Sequence, residues 1–118
     1  MRDNSAVVTK ESAPHFIWRD VCDGWELLDT SNLHVIRERM PPGTFELRHL
    51  HQHVRQLYFV LEGTASVDLD GELHTLAAGE AIVIEPPLPH QMRNDSSAPL
   101  EFLVISSAPP RDDRHDLD

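Results

Sequence analysis

GTFELRHLHQHVRQLYFVLEG, residues 43–63, decides how the rest of the chain is read. In TFELRHLH a period of two places Phe45, Leu47, His49 and His51 on one face and Thr44, Glu46, Arg48 and Leu50 on the other, which is the alternation of a β-strand. The first face is expected to point inward, because its alternate carries Glu and Arg. The next strand, QLYFVLE, puts Gln56, Tyr58 and Val60 on one side and Leu57, Phe59 and Leu61 on the other. Both sides are apolar enough to be covered, the second by another sheet or a second subunit.

Two histidines two apart on a strand have their bases about 6–7 Å apart, which suits convergence on one metal ion at about 2 Å from each Nε2. Two ligands rarely suffice. His90, directly after the stiff EPPLP turn, offers a third, and the side-chain carbonyl of Gln56 offers a fourth. Taken singly, any of these side chains reads as a hydrogen-bonded core or surface residue, and HxH alone is a weak signal.

Outward from this stretch the apolar runs are short and bounded by turn chemistry: PPG at 41–43, EG at 62–63, DG at 70–71, AAG at 77–79 and EPPLP at 85–89. The pattern predicts strands over 33–40, 44–51, 56–62, 64–70, 72–76, 80–84, 90–94 and 100–106, and no amphipathic helix of ordinary length competes with them. Asp70-Gly71 between alternating segments predicts a type I′ hairpin. No repeat recurs at a fixed period. The chain is therefore expected to be all-β, with a polar N-terminal arm over 1–13, one folded domain over 14–107 and an acidic C-terminal tail over 108–118.

Length and charge bound the rest. At 118 residues there is room for one core. Twenty acidic side chains against ten basic ones give a net charge of −10, a field that repels nucleic acid and anionic lipid. No run approaches the roughly 18 apolar residues of a membrane span, and MRDNSAVVTKES lacks the apolar centre of a secretory signal, so a cytoplasmic location is expected. The single cysteine, Cys22, excludes an intrachain disulfide and a multi-thiolate zinc site, and reads as a small buried residue.

Two ordered motifs carry a family resemblance. Gly43, five residues, His49-Leu50-His51, four residues, Gln56, six residues and Gly63 resemble the first cupin signature, with Gln in place of the usual Glu. Gly79 through His90 to Asn94 resembles the second, with Glu85 where a proline is usual and Pro87 where a glycine is usual. The resemblance covers roughly 33–106. It implies a single β-barrel of the jelly-roll type, RmlC-like, with one divalent transition metal (Fe, Ni, Zn or Mn) in the barrel mouth, held by His49, His51, His90 and Gln56, and a homodimer. Gln for Glu keeps the oxygen donor but removes a negative charge, leaving the loaded site at about +2 instead of about +1, which favours an anionic or enolate-like ligand. A neutral amide is also a poor base.

The expected function is that of a metal-dependent enzyme on a small organic substrate, either a dioxygenase or an isomerase or lyase working by Lewis-acid catalysis. The alternative is a non-catalytic module binding metal or a small ligand. Tyr58, on Gln56's face, and His53, of the same parity as His49 and His51, are the candidate acid/base residues; Glu85 is a weaker one. Phe45, Leu47, Met92, Phe102 and Val104 are expected to form an apolar pocket wall. Arg55 reads as a surface ion pair, and His15, His34, His74 and His115 as surface histidines.

Overall fold

The computed structural model describes residues 6–117. They form β1 (His15–Trp18), β2 (Cys22–Asp29), β3 (His34–Met40), β4 (His49–His51), β5 (Gln56–Glu62), β6 (Thr64–Leu69), β7 (Glu72–Ala77), β8 (Ala81–Ile84), β9 (His90–Arg93), β10 (Leu100–Ser106) and β11 (Arg114–Asp116). A short 3-10 turn, Pro110–Asp112, precedes β11. No helix among the described residues is long and apolar enough to cross a membrane.

The strands make two antiparallel sheets, one of six in the order β1-β2-β3-β10-β5-β8 and one of five in the order β11-β4-β9-β6-β7. The all-β expectation holds, but the expected closed barrel does not: among the described residues neither sheet returns on itself, and no strand pair joins the two. Closure needs continuous ladder bonds between edge strands. Here the edge strands β11, β1 and β8 have three, four and four residues, and the six-residue edge strand β7 pairs only with β6.

The two sheets share one core. Met40, Tyr58, Val60, Leu100, Phe102 and Val104 from the larger sheet meet Ala65, Val67, Leu76 and Met92 from the smaller, all buried. Each fully buried large apolar side chain contributes roughly 1.5–3 kcal/mol relative to exposure. Cys22 lies in the same cluster with no exposure, and burial raises its thiol pKa.

Local chemistry explains the turns. Asp70 and Gly71 both have positive φ, at 52° and 89°, joining β6 to β7 as the DG pair predicts. Gly63, at φ 86°, passes so close to the Pro99 carbonyl that any Cβ would collide with it, which accounts for a glycine at the end of the first motif. The β1–β2 hairpin was not legible, because its turn places Arg19 and Asp20, not glycine, at positive φ. Strand β2, CDGWELLD, has weak strand composition and is held by its register with β3.

Three segments depart from expectation. The strand expected over 44–51 contracts to His49–His51, with only an isolated Phe45–Arg93 bridge before it. The segment 108–118, whose composition suggests only a tail, carries β11, which pairs Arg114 with His51, His115 with Leu50 and Asp116 with His49; Asp118 lies outside the described residues. The expected N-terminal arm lies partly outside the described residues. Within its remainder, Ser12 N–H donates to Thr9 O at 3.2 Å and Lys10 Nζ lies 2.8 Å from Glu101 Oε1.

Candidate metal centre

His49 and His90 are cross-strand partners on β4 and β9, and His51 follows on the same face of β4. All three are buried, and one nitrogen from each lies within 4.8 Å of those of the other two. Gln56 opens β5 in the opposite sheet and is also buried. Its Nε2 donates to Ser106 Oγ at 3.0 Å, which leaves its Oε1 buried without a partner.

The far side of each imidazole is committed. His49 Nδ1 lies 2.8 Å from Leu47 O, His90 Nδ1 3.0 Å from Leu88 O, and His51 Nδ1 2.8 Å from Asp113 Oδ1. Each acceptor can only accept, so each Nδ1 carries the proton and each Nε2 keeps its lone pair. Buried His90 Nε2 has no hydrogen-bond partner among the described residues. Buried polar atoms are seldom left unpaired, so orphaned Nε2 of His90 and Oε1 of Gln56 fit a cation that four such donors would hold.

Burial keeps His49 and His90 neutral. Burial, with Arg114 adding to it, lowers the His49 pKa to about 4; burial and the neighbouring His49 do the same for His90. Proton competition for the His49 and His90 lone pairs is therefore weak at neutral pH.

A cavity of about 370 Å³ opens beside this centre, lined by His49, His51, Gln56 and Tyr58 together with Glu38 and Glu46. Glu46 Oε1 accepts from the Met92 amide at 2.9 Å and from the Tyr58 hydroxyl at 3.2 Å. Burial pushes the Glu46 carboxyl above the ordinary carboxylate range, against the pull of His90. Burial and then the nearby Glu46 push Glu38 up to about 8. Tyr58 is raised well above its ordinary value by burial and then by the two carboxylates, so its hydroxyl stays a donor.

The sequence reading places several residues differently. It put Glu46 outward and Phe45 inward; the structure buries Glu46 and leaves Phe45 42% exposed beneath the Arg19 guanidinium. The period of two fails there because the chain is not strand before His49, so parity cannot be carried back. Of the expected pocket wall, Leu47 and Val104 line the cavity, whereas Met92 and Phe102 lie in the core. His53 is exposed and is not brought to the cavity. Arg55 pairs with Glu85 at 2.8 Å on the surface, away from the site. His34, expected at the surface, is buried, with Nε2 3.2 Å from Glu26 Oε2 and 3.9 Å from Asp29 Oδ1. That second cluster already has a cation, since Arg111 reaches Asp29 at 3.1 Å.

Residues missed in the sequence are Glu38, Glu46, Asp113 and Arg114. Glu38 had a readable signal: it shares the parity of His34, Ile36 and Met40 on β3, and a charge on an inward face calls for explanation. Asp113 had none, because its partners are some 60 positions away.

Residues 36–106, more than half of the chain, match the family profile of the cupin domain. The chain is 35% identical over 72 residues to polyketide synthase CurC of Streptomyces cyaneus, covering 59% of this chain and 47% of that protein. It is 34% identical over 70 residues to an uncharacterised protein of Methanocaldococcus jannaschii, covering 59% and 56%. The chain thus spans about half the length of these relatives. Among solved structures, an RmlC-like cupin from Shewanella frigidimarina superposes with a TM-score of 0.81 at 19% identity, covering 95% of this chain and 98% of that one. KdgF from Halomonas sp. gives 0.80 at 18% identity, covering 88% and 94%. Polyketide cyclase RemF from Streptomyces resistomycificus gives 0.79 at 21%, covering 95% and 84%. At such identities the likeness to these structures is one of fold; with the profile match and both motifs in register, the chain belongs to the cupin family.

Proposed function

We propose that this cupin holds one divalent transition metal through His49, His51, His90 and Gln56 and uses it as a Lewis acid on a small organic substrate, in an isomerase- or lyase-type proton transfer. The observation that carries the reading is the set of three buried imidazoles whose Nδ1 atoms are all engaged by oxygens and which each bring one nitrogen within 4.8 Å of those of the other two. A bound divalent ion would polarise a carbonyl or hydroxyl oxygen of the substrate.

The chain's own residues supply the rest. Gln56 cannot take a proton, so proton transfer falls to the carboxyls lining the cavity. Glu46 is suited to it: its Oε1 is fixed by the Met92 amide and the Tyr58 hydroxyl, and burial raises its pKa toward the working range of a general acid or base. Tyr58 orients Glu46. His53, exposed, takes no part. These proton-transfer groups favour Lewis-acid chemistry over the dioxygenase branch, which does not require them.

The half-covered outer face of the six-stranded sheet supports a homodimer. Leu57 and Phe59 of β5 lie beside Ile105 and Leu103 of β10, with exposed Val83 of β8 at the margin. A dimer is expected by light scattering; a monomer at micromolar concentration would remove this part of the reading.

The test is proton exchange. Zinc- or nickel-loaded protein is incubated with small oxo and hydroxy acids in D2O and solvent deuterium incorporation is followed by NMR. Incorporation that falls by about 100-fold or more in Glu46→Gln supports the assignment. Iron-loaded protein that consumes oxygen with the same compounds, without deuterium incorporation, would instead establish the dioxygenase reading.

A further inference from the structure

The C-terminal segment is tied to the metal centre by a single carboxylate. Asp113 Oδ1 engages His51 Nδ1 at 2.8 Å, and its Oδ2 accepts from the backbone amides of His53 at 2.8 Å and Val54 at 3.1 Å. One side chain therefore grips both a proposed ligand and the turn that delivers Gln56 two residues later. Directly after it, β11 adds to the free edge of β4, with Arg114 opposite His51 and Asp116 opposite His49. Leu117 N–H donates to Arg48 O at 2.9 Å, continuing the contact. The same segment walls the cavity through Pro110, Arg111, Arg114 and Asp116.

This arrangement differs from those of the other two histidines. His49 and His90 are held by carbonyls two residues before them, on their own local chain, and keep those partners whatever the C-terminus does. His51 depends on a residue 62 positions away. An ionised acceptor gives a stronger hydrogen bond than a carbonyl and makes the imidazole a more basic ligand.

Resting on the metal reading above, we infer that Asp113 is a positioning residue for the metal centre, and that metal occupancy and docking of residues 110–117 onto β4 stabilise one another. The coupling is reciprocal by linkage. Metal favours the His51 orientation that Asp113 holds, so it favours the docked segment, and loss of the docked segment weakens metal binding equally.

The test uses the full chain and Zn²⁺ alone. Zinc affinity is measured by competition with a chromophoric chelator, amide exchange of residues 110–117 is followed by mass spectrometry with and without zinc, and the visible spectrum of the Co²⁺-loaded protein reports the coordination sphere. For the wild type, stoichiometric zinc should slow exchange in 110–117. Asp113→Ala should bind zinc about 10–100-fold more weakly, show an altered Co²⁺ spectrum and lose the zinc-dependent protection. Asp113→Asn, isosteric and still able to accept, should fall between the two; it carries the test if the alanine variant does not fold. Zinc affinities within twofold of wild type in the folded variants, or exchange in 110–117 indifferent to zinc, would overturn the inference while leaving the metal reading intact. A wild type that takes up no zinc removes both, and the first titration reveals it.

Discussion

The six-stranded and five-stranded sheets are held together by different means. In the larger, β10 is flanked on both sides by long ladders, with seven register pairs to β3 from Leu100–Met40 to Ser106–His34. In the smaller, β4 and β9 share one register pair, His49–His90, and β4 depends for its other edge on a three-residue strand from the C-terminus. The first region is cemented by backbone ladder and apolar burial. In the second, the imidazoles are held by their Nδ1–H groups donating to the backbone carbonyls of Leu47 and Leu88 and to the Asp113 carboxylate, where the β4–β9 ladder is nearly absent. The longest ladders thus lie in one sheet and the three imidazoles in the other, with Gln56 facing them from β5, and substitutions should separate stability from metal binding.

The largest separation is expected at His90. His90→Ala should abolish stoichiometric zinc binding, measured by elemental analysis after desalting, while cooperative urea unfolding persists because the β3-β10-β5 ladders are untouched. Phe102→Ala should do the converse. Phe102 is 1% exposed between the sheets, and its loss should cost about 3–5 kcal/mol in urea denaturation, with near-normal zinc stoichiometry in the folded fraction. If Phe102→Ala removed metal and His90→Ala removed folding, the two regions would not be distinct.

A smaller effect follows from pH. In the metal-free protein His49 and His90 have folded pKa values of about 4, below their ordinary value, so the unfolded chain takes up protons first. Stability should fall as pH drops from about 6.5 toward 4. Glu38 works in the other direction: its folded pKa of about 8 lies above its ordinary value, so stability should fall as pH rises from about 4.5 toward 8. The Tm of chelated protein should therefore peak at mildly acidic pH. Glu38→Gln should flatten the alkaline limb and leave the acid limb in place. A Tm that rises steadily to pH 9 in the wild type would contradict this reading of Glu38.

The smallest effect is expected at Arg55, adjacent in sequence to Gln56. Its ion pair with Glu85 is exposed, and Arg55→Ala should change stability by less than about 0.5 kcal/mol and zinc affinity not at all. A tenfold loss of affinity would show that the surface beyond Gln56 takes part in the site.

How much of this was legible follows from sequence distance. The strands from β5 to β10 could be read because their alternation is local and their turns carry glycine or proline, as at Asp70-Gly71 and the Pro-rich run before His90. The clustering of His49, His51 and His90 could be anticipated because two of them alternate on one strand and the third opens the strand paired with it. Glu46 was misread because a period of two was extended through a stretch that is not strand. Strands β1, β2 and β11 were missed because pairing with neighbours, and not composition, makes them strands. Sheet closure was expected from family likeness alone, and among the described residues the edge strands of the two sheets do not pair.

The central claim is that His49, His51, His90 and Gln56 hold one metal ion. Elemental analysis of protein purified without chelator, and again after reconstitution with Zn²⁺ and desalting, tests it most directly. The account predicts close to one equivalent per chain in the wild type and almost none in a His49→Ala, His90→Ala double variant. Far less than one equivalent in reconstituted wild type, or equal retention by the double variant, would contradict it.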